Sequence, residues 1–287
     1  MAASRHFQLL ASALLTLVCF RTGADAAPRI VNGTDADIKD YPFMVSVWYR
    51  GAFNCGGSLL SSSWVLSAAH CMAGVQNASV LSVLAGTATL SGGGQRRVVR
   101  QAVWHERYDL KADSPRDVPP LNDVGLLLVS GPPVVQAVKR HGLIFLKISL
   151  ESPLELGAEL RPVSLPGPQQ AVSAGTSALV MGWGYAYTNS GVVMERLQVA
   201  EVSVYSLSDC YRALDGALNP TNLCAGAPEG GRGQCTGDSG GPLLVPGGVQ
   251  VGVVSWSLKP CASRGLPAAF ADVSLYVEWI HQHTGHL

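Results

Sequence analysis

The chain has no charge imbalance: 20 Lys and Arg are matched by 20 Asp and Glu over 287 residues, and the pI is near 7.0. Nucleic acid and anionic membrane surfaces both require a positive field, so neither is an expected partner. Beyond the first twenty-odd residues no apolar stretch approaches the length needed to span a bilayer. Repeats and low-complexity segments are absent, and helical periodicity is scarce until the end of the chain. What is present suits one or two compact, turn-rich domains with a real core: 47% hydrophobic residues and 32 glycines.

Residues 1–26 have the form of a secretory signal, with Arg5 in a short basic start, an apolar run from Leu9 to Phe20 and the small-residue pattern Ala24-Asp25-Ala26. The expected mature protein is soluble, secreted and extracellular. Cys19 would leave with the signal, and the remaining even set, Cys55, Cys71, Cys210, Cys224, Cys235 and Cys261, favours three disulfides over metal ligation in an oxidising compartment. Sequence alone permits fifteen pairings. His281, His283 and His286 read as a solvated tail and not as a metal site.

Short β-rich runs broken by Gly, Asn and Ser cover Tyr41–Val47, Ser58–Ser67, Val80–Leu84 and Arg97–Trp104, and return at Ala178–Met181, Leu197–Val204, Gly241–Leu244, Val249–Trp256 and Ala269–Val273. Val273, Tyr276, Val277 and Ile280 recur at three- and four-residue steps. The expected fold is all-β with a C-terminal amphipathic helix.

Three segments carry chemistry. In Gln234-Cys235-Thr236-Gly237-Asp238-Ser239-Gly240-Gly241-Pro242 a serine sits among glycines, which suits a tight turn as well as an exposed nucleophile. Gly237 allows its own N–H and that of Ser239 to point at one spot beside the hydroxyl, as an acyl-transfer oxyanion requires. Leu66-Ser67-Ala68-Ala69-His70-Cys71 ends an apolar strand on a histidine, by itself more often structural than catalytic. Asp123 stands at the mouth of the apolar run Val124–Leu128, where a buried carboxylate needs a partner that an imidazole N–H can supply. Directly after the signal, Ala27-Pro28-Arg29 precedes Ile30-Val31-Asn32-Gly33. Residues 27–29 read as a short propeptide, and cleavage after Arg29 would create an ammonium on Ile30 for which Asp238 is the candidate partner.

Taken in order, Ile30-Val31-Asn32-Gly33, Ala68-Ala69-His70-Cys71, Asn122-Asp123, Gly182-Trp183-Gly184, Gly237-Asp238-Ser239-Gly240-Gly241-Pro242 and Ser255-Trp256 resemble a chymotrypsin-like (trypsin-family) secreted serine protease over nearly everything after residue 29. The resemblance implies a peptidase domain at 30–287 made of two six-stranded antiparallel β-barrels, about 30–155 and 156–287, with the active site between them. It implies Ser239 as nucleophile, His70 as general base and then acid, Asp123 holding the imidazole tautomer, and the N–H groups of Gly237 and Ser239 as oxyanion hole. Ser255 would support Asp123, and Ser255, Trp256 and Ser257 would pair with substrate as an added strand. The implied disulfides are Cys55–Cys71, Cys210–Cys224 and Cys235–Cys261, with Ala178 and Val245 at the ends of a family bridge lost here. The implied partners are protein or peptide substrates, an activating protease and protein protease inhibitors, acting on a monomer without cofactor or metal. No acidic residue lies in the family's calcium loop between Ala85 and Arg96, so calcium is not expected.

By the same resemblance the base of the primary pocket is Gly233, where trypsin-like enzymes carry an aspartate for Arg or Lys, and its walls are Ser257 and Ala268. The expected preference is elastase-like, for small to medium apolar residues, with cleavage after larger apolar residues as runner-up. The loop between His105 and Asp123 is longer than the family norm and would overhang neighbouring subsites. Asn32 and Asn77 head glycosylation sequons.

One segment departs from the pattern. Val129–Lys147 interrupts what should be a buried strand, and its removal joins Leu128 to Ile148-Ser149-Leu150-Glu151-Ser152-Pro153, a good family match. It is either a retained short intron or errant gene model, or a true surface loop. A true insert threatens strand register beside Asp123, which leaves a catalytically impaired homologue acting as a binding protein as the alternative function.

Overall fold

The computed structural model describes residues 30–108, 118–129 and 152–285 and, as backbone, 134–140 and 143–149. The expected signal and propeptide, with Arg29, lie outside the described residues, as do positions 109–117 of the long loop before Asp123 and His286.

After β1 (Thr34–Asp35), which joins the other sheet, the first barrel is built from β2 (Met44–Tyr49), β3 (Ala52–Leu59), β4 (Trp64–Ser67), β5 (Leu81–Ala85), β6 (Gln95–Val98), β7 (Gln101–Trp104) and β8 (Gly125–Leu128), in the order β6-β5-β2-β3-β4-β8-β7. Seven strands reduce to six sides. β6 and β7 are one strand bent at Val99–Arg100, where Val99 N–H bonds Leu81 O on one side and Arg100 N–H bonds Leu128 O on the other. The expected run Ser58–Ser67 is likewise broken, because Ser61–Ser63 form the turn between β3 and β4. Apolar residues inside the ring, among them Val45, Val47, Leu66, Leu81, Val83, Leu126 and Leu127, are fully or almost fully buried.

Residues 134–149 form a separate antiparallel pair, β9 (Val134–Arg140) and β10 (Leu143–Ser149), in register from Val134↔Ser149 to Arg140↔Leu143. The expected threat to strand register does not materialise. Trp64↔Leu128, Leu66↔Leu126 and Ser67↔Gly125 stay paired between β4 and β8. The chain leaves the barrel with Val129 N–H on Ser63 O and returns with Leu154 N–H on Ser62 O. Exit and re-entry are thus tied to neighbouring carbonyls, and β9 and β10 form a two-stranded sheet of their own.

The second barrel contains β11 (Ser177–Gly182), β12 (Gln198–Val204), β13 (Asn222–Gly226), β14 (Pro242–Val245), β15 (Val249–Trp256) and β16 (Ala268–Asp272), ordered β12-β11-β14-β15-β16-β13 and closed by pairing of β12 with β13. β1 covers the remaining edge of β12 through Thr34↔Val199. Helix α1 (Leu207–Ala213) precedes β13, and α2 (Val277–Thr284) ends the described chain one turn later than the periodicity suggests, after a short 3₁₀ turn at Val273–Leu275. His281 and His283 lie on α2, and His283 is no solvated tail residue: its Nδ1 donates to Trp279 O and its ring lies 4.6 Å from the indole.

The barrels are locked together by buried polar contacts. Ser58 Oγ donates to Gln250 Oε1 at 2.5 Å, and Trp183 Nε1 donates to Ala88 O at 2.9 Å. Disulfides join Cys55–Cys71, Cys210–Cys224 and Cys235–Cys261. Each closes a loop of a size worth about 3 kcal/mol in chain entropy. No helix among the described residues is long and apolar enough to cross a membrane.

Candidate active site

Asp123 enters the cleft at the start of β8, directly after Asn122, whose φ of 52° lies in the left-handed region that asparagine tolerates. Three separate segments hold that residue. Asn122 N–H donates to Thr221 Oγ1, its Nδ2 donates to Arg107 O at 3.1 Å, and Tyr276 Oη donates to its Oδ1 at 3.2 Å. The supporting roles of Thr221 and Tyr276 escape a reading of the sequence, since both lie more than ninety residues downstream; the only local signal is an asparagine beside the aspartate.

The Asp123 carboxylate is fully enclosed and fully partnered. Oδ1 accepts from His70 N at 2.9 Å, while Oδ2 accepts from His70 Nδ1 at 2.7 Å and from Ser255 Oγ at 2.6 Å. A carboxylate only accepts, so Nδ1 must carry the proton and a neutral ring presents a basic Nε2. Burial disfavours the charged forms of both groups. For His70 the charge and hydrogen bond of Asp123 more than offset burial and raise its pKa above the usual 6.5. For Asp123 the charge of His70 and the three hydrogen bonds overcome burial and lower its pKa below the usual carboxylate value.

Ser239 reaches the same cleft from the opposite barrel. Its carbonyl accepts from Gly56 N–H on β3 at 2.8 Å, and Gly240 N–H bonds Val254 O on β15. A Cβ on Gly240 would strike Ser67 Oγ and Gly56 O and stand 3.1 Å from Ala68 N, so only glycine lets the loop close against the segment that carries His70. The N–H groups of Asp238, Gly240 and Gly241 are bonded to Cys235 O, Val254 O and Asp238 O. Those of Gly237 and Ser239 have no acceptor among the described residues. Two backbone donors two residues apart, one of them on the half-buried Ser239 itself, are thus left without an acceptor among the described residues. Ser239 Oγ makes no hydrogen bond among the described residues, and nucleophile–base contacts commonly lengthen without substrate.

Asp238 is the second fully enclosed carboxylate. It accepts from Gly184 N at 2.7 Å and Cys235 N at 2.9 Å, and it fills the space beside Gly182 and Gly184, where any Cβ would collide with it. Burial pushes its pKa up to about 7, against the opposing pull of the two N–H groups and the charge of Lys259. Ile30 is completely buried in the second barrel, and Val31 bridges Gly233, which seats the expected activation segment against the loop leading to Asp238.

Gly233, Ser257 and Ala268 line one narrow cavity of about 10 Å³ together with Leu258, Ala262 and Leu266. That is room for about one water-sized sphere. Arg232 also borders it, its guanidinium paired with Glu229, and no carboxylate does. Trp256 continues the strand from Ser255 and its carbonyl accepts from Gln234 Nε2. Cys55, His70 and Cys71 cluster closely enough for a metal, but the two sulfurs are bonded to each other and offer no thiolate. Asn77 is exposed, with its Oδ1 accepting from Ser79 N and Oγ; Asn32 is exposed in a turn with a left-handed φ of 55°.

Two facing barrels with this cleft define a chymotrypsin-like serine endopeptidase. The family model Trypsin matches residues 30–280. Trypsin II-P29 of Gallus gallus is 32% identical over 277 residues, covering 96% of each chain, and kallikrein-15 of Homo sapiens is 31% identical, covering 93% of this chain and 96% of its own. The solved structure of neuropsin, a serine protease expressed in the limbic system of mouse brain, superposes with a TM-score of 0.72 at 27% identity, over 88% of this chain and 98% of that one. The chain belongs to the trypsin family, and proteins are its substrates.

Proposed function

We propose that the protein is a secreted zymogen, activated by cleavage after Arg29, that hydrolyses peptide bonds following small to medium apolar residues. His70 takes the proton of Ser239 through Nε2 as the hydroxyl attacks the carbonyl, and then gives it to the leaving amine. Asp123 holds the tautomer and stabilises the imidazolium, and Ser255 holds Asp123. The oxyanion lies between the N–H groups of Gly237 and Ser239, each contributing on the order of 3 kcal/mol. The observation that supports this reading is that pair of N–H groups without an acceptor among the described residues, in a loop where the N–H groups of Cys235, Asp238, Gly240 and Gly241 are bonded.

The preference is supported by the narrow slot above Gly233, walled by Ser257 and Ala268, in which a basic side chain would find no carboxylate. Discrimination among apolar residues is broad, since each methylene is worth only about 1–3 kcal/mol. Activation is supported by Asp238, a buried carboxylate with two N–H donors and no contacting cation among the described residues. The ammonium freed on Ile30 supplies one and orders the oxyanion loop. Secretion follows from the signal pattern at 1–26, with glycan expected at Asn77 and, beside the activation point, at Asn32. An activating protease and protein inhibitors complete the partners, and the enzyme acts as a monomer. The binding-protein alternative loses its support, because the register beside Asp123 is intact.

The test is fluorophosphonate labelling of Ser239 before and after cleavage at Arg29, followed by a peptide-library cleavage profile. Labelling that requires cleavage, with turnover after Ala, Val, Leu or Met, is the expected result; absence of labelling in the cleaved protein overturns it.

A further inference from the structure

A second cavity, with no lining residue in common with the slot at Gly233, adjoins His70. It measures about 570 Å³, and Tyr49, Arg50, Asn54, His70, Gln76 and Asn77 are among its lining residues. All of its walls come from the first barrel, whereas the narrow slot and the strand Ser255–Trp256 belong to the second. A substrate held by that slot and strand places the residues before the scissile bond on the second barrel. Its departing amine must lie at His70, which protonates it. The chain after the bond therefore runs out over this cavity.

Arg50 gives the cavity its character. No lining residue is acidic, and Arg50 is the one permanent charge among them. Tyr49 and Ala52 pair across the β2–β3 hairpin, so Arg50 and Gly51 form a two-residue turn, and both have positive φ, 50° and 82°. Such turns favour Asn or Gly at the first position, because a longer side chain is strained there. The turn thus carries an arginine where local folding calls for another residue, which points to a use for the guanidinium. Arg50 is fixed through its N–H to Val80 O at 2.8 Å, and its guanidinium carbon lies 5.2 Å from the Tyr49 ring centre.

We infer that Arg50 is a specificity-determining residue for the leaving-group side of the substrate, selecting an acidic side chain at the first or second position after the scissile bond. This rests on the assignment of His70 and Ser239 given above. The attraction is that of a solvent-exposed pair, modest in size and weakened by salt. Favouring an acid while repelling a base at one position amounts to roughly five- to tenfold in kcat/KM.

The experiment uses the cleaved enzyme with internally quenched peptides identical up to the scissile bond and carrying Glu or Lys at the first or second position after it. The parent enzyme prefers Glu. Arg50→Asn, which gives the turn a residue its backbone favours and so keeps the fold, brings the Glu/Lys ratio close to one, and Arg50→Glu inverts it. Hydrolysis of a peptidyl anilide, which has no amino acid after its scissile bond, stays unchanged in both variants and reports proteolytic competence separately. A parent ratio near one, or a ratio indifferent to both substitutions, overturns the role of Arg50 and leaves the protease assignment standing. An inactive parent on the anilide overturns both.

Discussion

Asp123 and Asp238 are the same residue type at the same complete burial, each within a few residues of a barrel strand, and they hold their protons oppositely. Asp123, in the first barrel, accepts three hydrogen bonds and faces an imidazole that can become cationic; its pKa is lowered. Asp238, in the second, accepts two backbone N–H bonds without a contacting cation among the described residues, and burial raises it to about 7. The difference between the two regions is a counter-charge. The first barrel's half of the site is complete in the uncleaved chain. Under the proposed activation, the second barrel's half gains its cation only when cleavage frees the Ile30 ammonium.

The comparison breaks most visibly at Asp123. In Asp123→Asn the amide can donate toward His70 Nδ1, which moves the ring proton to Nε2 and removes the base while preserving shape. Steady-state kinetics on the cleaved enzyme should show a fall of about 10⁴ in kcat near neutral pH with unchanged far-UV spectra. A loss of less than tenfold would mean that the Asp123–His70 contact does not set the tautomer.

Asp238→Asn acts later and less. Neutralising the site deprives the Ile30 ammonium of its partner, so cleavage no longer orders Gly237 and Ser239, and kcat falls roughly 10²- to 10³-fold, the cost of losing an oxyanion donor. In the uncleaved chain the same substitution stabilises. A chain locked uncleaved by Arg29→Gln should lose several degrees of Tm as pH rises from about 4 to about 7. The folded-state pKa of Asp238 is raised, so its contribution is present below the unfolded value and is lost as pH climbs through the folded one. His70, also raised, acts in the same direction from 6.5 upward. Adding Asp238→Asn should flatten the lower part of the curve and leave the His70 part; a curve unchanged by the substitution would place Asp238 outside the titration.

Smaller still is the pH profile of the cleaved enzyme. Catalysis needs neutral His70, and its raised pKa sets the acid limb of kcat/KM above 6.5. The alkaline limb belongs to the Ile30 ammonium, ordinarily near ~8 and raised by pairing with Asp238. Activity therefore peaks on the alkaline side of neutrality, and removing Asp238 should erase the upper limb. Stopped-flow rates across pH 5 to 10 measure both.

Most of the proposed catalytic constellation was legible because acyl transfer demands particular residues in short, recognisable settings: Ser239 among glycines, His70 beside a bonded cysteine, Asp123 at an apolar strand. What supports them was not. Thr221 and Tyr276 reach Asn122 from about 100 and 150 residues away, and no local pattern announces either. That the Gly237 and Ser239 N–H groups are unbonded is a property of the folded loop. Helix α1 did leave a trace, since Ser206 Oγ caps it by accepting from Asp209 N–H, the Ser-x-x-Asp signature of a helix start. β13 left less, because Asn222–Gly226 is short and gains its pairing from β16, more than forty residues on. The bend at Val99–Arg100 divides one expected strand into two because each half bonds a different neighbour, a choice made by barrel closure and not by propensity.

The insert sharpens the contrast between barrels from the other side, as a region expected to matter and found apart. Its two β-rich runs flank His141-Gly142, a composition that suits a hairpin as well as an intrusion. With exit and re-entry tied to Ser63 O and Ser62 O, a chain lacking residues 130–147 can bridge Val129 to Ser152 through Ile148–Glu151 without disturbing β8. Loop-closure entropy changes only slowly with length, so stability should hold within about 1 kcal/mol. kcat/KM on a peptidyl anilide should stay within about twofold of the parent, because Asp123 is anchored by His70, Ser255 and the Asn122 contacts. A drop approaching that of Asp123→Asn would show the hairpin to be part of the catalytic frame of the first barrel.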